Sequence, residues 1–118
     1  MKRRVLVVED NLDAVQSMTR LIRLMGHDVA YALDGLGALE AARRFRPQVI
    51  LLDIGLPDFN GHNIARQLKW EPSLARTRII AITGQPLHQI RQKALDAGCE
   101  DVFAKPMDPK VLEEVIRG

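Results

Sequence analysis

Glu9, Asp10, Asp53, Thr83 and Lys105 each stand just past the end of a short apolar run. The runs are Val5-Leu6-Val7-Val8, Val49-Ile50-Leu51-Leu52, Ile79-Ile80-Ala81-Ile82 and Val102-Phe103-Ala104. Gathered at one place, three carboxylates, a hydroxyl and an amine suit a divalent cation and a phosphoryl group. Mg2+ prefers oxygen ligands in an octahedron completed by waters and substrate phosphate. Three clustered carboxylates with no cation would repel and raise one another's pKa. A carboxylate can attack phosphorus and form an acyl phosphate. An ammonium and a hydroxyl can neutralise and hold the oxygens of the group in transit.

Each residue has a plainer role when taken alone. Asp53 could simply start the turn-rich stretch Gly55–Gly61, and Asp10 could cap a helix. Lys105 could be a surface lysine and Thr83 an ordinary strand end. The order in which they occur, at successive strand ends, is what gives the set its meaning. Pro106 after Lys105 marks a candidate cis peptide bond. Gly84 after Thr83 is expected to leave the approach to Asp53 open.

The elements that position these residues follow from hydrophobic periodicity. Short apolar runs separated by helical stretches read as parallel strands of an α/β sheet. All strand ends of one kind then lie along one edge, and ligands bind in the crevice at the carboxyl ends. Strands are predicted at about 4–8, 28–33, 48–53, 78–83 and 101–104. Helices are predicted at about 12–25, 36–45, 62–70, 86–97 and from Pro109 onward. Asn11 or Asp10 is a plausible cap for the first helix and Gly26 its stop. Val15, Met18, Ile22 and Met25 form its apolar stripe. The third strand is a continuous apolar run, which implies burial on both faces and a central place. Right-handed crossovers require helices on both faces of a doubly wound sheet.

The chain has 118 residues, the size of one domain, so residues 1–118 are read as a single unit. With 47% hydrophobic and 27% charged residues, disorder is excluded. Five aromatic residues leave a mostly aliphatic core. Cys99 is the only cysteine, so no intrachain disulfide exists and a reduced, cytoplasmic setting fits. No stretch approaches the ~20 apolar residues of a membrane span, and no signal peptide is read. Net charge is +2, with Lys2-Arg3-Arg4 and Arg43-Arg44-Arg46 read as solvated clusters rather than a nucleic-acid surface. Met1 close to the first strand is expected to be a natural start. The last helix reaches Gly118 after barely two turns, which fits either a trimmed or a natural end.

These motifs resemble the receiver domain of two-component response regulators, of the chemotaxis-regulator type, over essentially the whole chain. The resemblance is carried by Val5-Leu6-Val7-Val8-Glu9-Asp10-Asn11, by Leu51-Leu52-Asp53-Ile54-Gly55-Leu56-Pro57 with Gly61, by Ile82-Thr83-Gly84 and by Lys105-Pro106. It implies a flavodoxin-like five-stranded sheet in the order 2-1-3-4-5. It implies that Asp53 accepts a phosphoryl group from a phosphohistidine on a histidine kinase or histidine phosphotransfer protein. Asp10, Asp53 and the backbone carbonyl of Gly55 would bind Mg2+, with Glu9 acting through water and Lys105 and Thr83 holding phosphoryl oxygens. The donor would dock near Asn11, Leu12, Val15, Pro106 and Met107. Output, to a downstream protein or effector domain or a second copy, would leave by the face of helix 4, strand 5 and helix 5. Such a domain is not a turnover enzyme. It catalyses only its own phosphorylation and slow dephosphorylation.

One departure stands out. Related domains often carry an aromatic residue three before the lysine, coupled to movement of the threonine. Val102 fills that slot here, and Phe103 faces the other way because strand side chains alternate. A phosphorylation-independent adaptor is therefore the alternative reading. A phosphatase with an aspartyl intermediate is disfavoured, because Gly55 stands where a second acid would be needed. His27, His62 and His88 are expected to be solvated, and Trp70 half-buried.

Overall fold

The computed structural model describes residues 2–54 and 60–118. Strands and helices alternate: β1 (Arg4–Val8), α1 (Leu12–Leu24), β2 (Asp28–Ala32), α2 (Gly35–Phe45), β3 (Val49–Asp53), α3 (Gly61–Trp70), β4 (Arg78–Thr83), α4 (Leu87–Asp96), β5 (Asp101–Ala104) and α5 (Pro109–Arg117). A single 3-10 turn at Pro72–Leu74 precedes β4 and was not anticipated from the sequence. The strands pair in parallel in the order β2-β1-β3-β4-β5, as the resemblance implied.

Strand alternation divides the core in two. Leu6, Val8, Ile50, Leu52, Ile79, Ala81 and Val102 pack against α2, α3 and α4 through Ala38, Ala42, Ile64, Ala65, Leu68, Ile90 and Ala94. Val5, Val7, Val49, Leu51, Ile80 and Ile82 face the other way and meet Ile22 of α1 and Leu112 and Ile116 of α5. Each fully buried Leu or Ile stabilises the fold by roughly 1.5–3 kcal/mol relative to an exposed one. All five residues of β3 are buried, which is why its sequence carries no polar alternation.

The helices start where side chains replace missing backbone partners. Asn11 Oδ1 accepts from Ala14 N at 2.9 Å and Asp34 Oδ1 from Gly37 N at 2.7 Å. Asn60 and Asp108 do the same for α3 and α5. Each such cap contributes about 1 kcal/mol. Of the two candidate caps for α1, Asn11 is the one used. Met25 closes that helix and Gly26 turns the chain with φ +91°, a region open to glycine. Pro86 lies at the N-cap position of α4 rather than inside its first turn.

The expectations for His27 and Trp70 fail, and His62 is half-buried, with its Nδ1 shut off from solvent, rather than solvated. His27 is buried, 4% exposed, because Nδ1 accepts a hydrogen bond from Arg3 N at 3.0 Å and Nε2 lies 3.5 Å from Glu113 Oε1. Trp70 is 85% exposed rather than half-buried. Ile64, Ala65 and Leu68 occupy the inner face of α3, and position 70 falls on the opposite side of the helix.

Candidate functional site

Strand parity brings the chemistry together. Glu9 continues the Val5-Val7 face of β1, and Asp53 continues the Val49-Leu51 face of β3. Lys105 continues the face of Phe103 in β5, so all three point to the α1/α5 side of the sheet. The backbone there is fixed: Glu9 N donates to Ala32 O at 3.1 Å, Ile54 N to Ile82 O at 3.0 Å, and Lys105 N to Thr83 O at 2.7 Å.

Lys105 Nζ donates to Glu9 Oε2 at 2.7 Å and also forms an ion pair with Asp53 Oδ2. Glu9 and Asp53 are 6% and 3% exposed, so water cannot screen them well. Burial, with the Asp53 carboxyl beside it, pushes Glu9 up to about 7 against the pull of Lys105. Burial by itself would lower the Lys105 ammonium, but its bonds to Asp53 and Glu9 win and raise it. Two buried carboxylates thus share one ammonium, and the site favours further positive charge.

Thr83 is fully buried at the end of β4. Its Oγ1 accepts from Gln85 N at 2.9 Å, which leaves the hydroxyl proton as its donor. Asp53 pairs with Ile82 in the sheet, and Thr83 with Ala104, one residue before Lys105. The Lys105–Pro106 peptide bond is cis, as expected.

Other predicted members stand differently. Asp10 is exposed, one residue beyond the ion-paired pair, and among the described residues no three His, Cys, Asp or Glu side chains gather closely enough to hold a metal. Gly55, the predicted carbonyl ligand, lies outside the described residues. A Cβ built on Gly84 meets nothing within 4 Å, so packing leaves room for a side chain there. Val15 is 1% exposed and belongs to the core, which removes it from the expected docking surface. Leu12, 49% exposed, and Pro106 remain on that surface. Burial pushes the Cys99 thiol up to about 11, which keeps it a packed residue and no nucleophile.

One feature of the site had no sequence signal. A cavity of about 250 Å³ lies between α1, the sheet and α5, walled by Met18, Leu21, Leu51, Ile82 and Leu112. Its polar end is formed by Glu9, Asp53 and Lys105. The acids are therefore backed by an apolar space, which strengthens the electrostatic interactions at their inner side.

Residues 5–117 match the family of response regulator receiver domains. The chain belongs to that family. It is therefore a signalling module of the two-component type. The receiver domain is 32% identical over 116 residues to the polar-differentiation response regulator DivK of Brucella anthropi, covering 98% of this chain and 94% of that one. It is 33% identical over 117 residues to the DNA-binding response regulator MtrA of Mycobacterium tuberculosis, covering 99% of this chain but only 50% of that protein. Among solved structures it resembles the receiver domain of a sensor histidine kinase of Pseudomonas aeruginosa, with a magnesium ion in its active-site cleft, at 31% identity and a TM-score of 0.87. That likeness covers 99% of this chain and 96% of the other. A chemotaxis response regulator of Vibrio cholerae shares the fold with a TM-score of 0.88 at 24% identity, covering 99% and 98% of the two chains. No helix among the described residues is long and apolar enough to cross a membrane.

Proposed function

We propose that residues 1–118 form one receiver domain acting as a phosphoacceptor switch, with Asp53 as the acceptor. An Asp53 carboxylate oxygen attacks phosphorus of a phosphohistidine on a histidine kinase or histidine phosphotransfer protein. The P–N bond breaks, the imidazole leaves with the bonding electrons, and an aspartyl phosphate forms. The observation that carries this reading is the buried Asp53 carboxylate paired with Lys105 at the carboxyl edge of the sheet, beside Glu9. Lys105, one residue past the end of β5, supplies a cation to the incoming phosphoryl oxygens. Thr83 contributes its hydroxyl proton to one of them.

Oxygen donors of this kind suit Mg2+. Glu9 and Asp53 are buried and share one ammonium, so a further cation beside them would be stabilised. Asp10 and Asp53 would hold the ion, with the Gly55 carbonyl, and Glu9 would act through water. When bound, the ion neutralises phosphoryl charge. Aspartyl phosphate carries about −1.5 to −2 in place of the carboxylate's single negative charge, a change able to bias a two-state surface toward a downstream protein or effector domain. The α4–β5–α5 face is the proposed output surface, including for a homodimer. A cytoplasmic location goes with such a role.

Incubation with Mg2+ and acetyl phosphate should add the mass of one phosphoryl group to the intact protein. The Asp53→Asn chain should show no gain. An equal gain in that variant, or none in either protein, rejects the reading. Val102 favours a second reading, a phosphorylation-independent adaptor, since this small side chain is 2% exposed in the core. An adaptor need not bind Mg2+, so a metal titration separates the two.

A further inference from the structure

The opposite edge of the sheet carries a different kind of site. Strands β1, β3 and β4 are led in by Lys2-Arg3-Arg4, Arg43-Arg44-Phe45-Arg46 and Arg76-Thr77-Arg78. Parallel pairing puts all these leads on the amino-terminal edge, away from Asp53. Several bases there have acids of their own: Lys2 pairs with Asp28 at 3.4 Å, Arg43 with Glu71 at 2.9 Å and Arg78 with Glu100 at 2.7 Å.

Arg4, Arg46 and Arg76 are another matter. They line one cleft of about 230 Å³ together with Gln48, Ser73 and Thr77, and no carboxylate is among the lining residues. Among the described residues none of the three arginines forms an ion pair with an acid. Glu71, which Ser73 Oγ reaches at 3.3 Å, is neutralised by Arg43. Three arginines lining one space bring like charges near one another, which an anion among them would relieve.

The floor of the cleft and its Arg4 wall are ordered. Arg4 Nε donates to Arg46 O at 2.9 Å, and Arg4 N donates to Gln48 Oε1 at 2.8 Å. Arg46 closes α2 at φ 50°, the one non-glycine residue with positive φ among those described, with its N–H donating to Ala42 O at 2.9 Å. Thr77 Oγ1 donates to Pro47 O at 2.8 Å in the buried floor, and Lys69 Nζ donates to Thr77 O at 2.9 Å. A scaffold ordered before binding loses less entropy on binding.

We propose that this cleft binds a small anion bearing two adjacent phosphate groups. Guanidinium matches phosphate oxygens with paired, charge-assisted hydrogen bonds. A diphosphate carries about three negative charges near neutral pH, which three arginines would balance. The small volume suits a diphosphate moiety. This site is separate from the proposed phosphoacceptor, and either reading can fail without the other.

Calorimetry of the full chain with inorganic pyrophosphate, in EDTA and low salt, tests it. One-to-one saturable binding is expected, with inorganic phosphate at least about tenfold weaker. Arg76→Ala and Arg46→Ala should each weaken binding by about tenfold or more. Arg20→Ala, an exposed arginine on α1, and Asp53→Asn should leave it unchanged. Thermal melts check that each variant is folded, and Arg46→Gly is a second form of that variant that tolerates positive φ. Absence of binding at millimolar pyrophosphate, binding indifferent to both cleft variants, or loss of binding in Asp53→Asn would each overturn the proposal.

Discussion

Lys105 Nζ lies 2.7 Å from Glu9 Oε2, and the same nitrogen is ion-paired with Asp53. One ammonium therefore ties together the ends of the first, third and fifth strands of the chain. Glu9 bears the electrostatic cost, because it is buried beside a second carboxylate.

That cost has a pH signature. Glu9 is raised from 4.5 to about 7, so the folded chain keeps a proton that the unfolded chain releases between those values. Its contribution to stability is complete below about 4.5 and is lost as pH rises through about 7. Glu9→Gln, neutral throughout, should flatten this part of the metal-free profile. His62 is lowered from 6.5 by burial, Lys93 and Arg66 and acts in the opposite sense, so the difference between the two proteins is the readout. Thermal melts from about pH 5 to 8 measure it, and identical slopes would contradict the assignment.

Thr83 should matter through its hydroxyl. Thr83→Ala leaves Gln85 N without the acceptor it has at 2.9 Å, costing about 1 kcal/mol. It also removes the proposed donor to the phosphoryl group, and uptake from acetyl phosphate should slow by about tenfold or more. Thr83→Ser keeps the hydroxyl and should restore most of both. Time-resolved intact mass and a urea melt read the two effects.

Two glycines give opposite expectations. A Cβ on Gly61 would stand 2.5 Å from Ile54 Cα, a backbone atom that cannot step aside. Gly61→Ala should destabilise by about 1–3 kcal/mol or more and disturb the strand end that carries Asp53. Gly84→Ala meets nothing within 4 Å and should stay within about 0.5 kcal/mol. Paired urea titrations distinguish them.

Val102 tests the missing aromatic. It packs in the same core as Ala81, Ile90 and Ala94. Val102→Tyr overfills that space and should cost about 1–3 kcal/mol, lowering the melting temperature by several degrees. An unchanged melt would mean the ring has found an outward seat, restoring the arrangement common in related domains.

Much of this was legible because the signals are local. Apolar runs of four residues marked β1 and β3, and two-residue alternation correctly put Val102 and Phe103 on opposite faces. The convergence of Glu9, Asp53 and Lys105 followed from a parallel sheet alone. Asp10 lies two residues past the end of β1 and is exposed, so strand alternation does not settle its direction, whereas Glu9 meets Lys105. His27 looked like a loop residue because its partners, Arg3 and Glu113, are distant in sequence. Trp70 was misjudged by residue type, although the spacing of Ile64, Ala65 and Leu68 already left it off the inner face. Val15 was carried onto a docking surface by the resemblance, while its place in the apolar stripe of α1 put it inside.

The backbone hydrogen bonds from Glu9 N to Ala32 O, Ile54 N to Ile82 O and Lys105 N to Thr83 O fasten the candidate site to neighbouring strands. The three side chains ride on a rail that cannot slide without unzipping the sheet. A phosphoryl group taken up at Asp53, as proposed, would meet a backbone held by neighbouring strands on both sides.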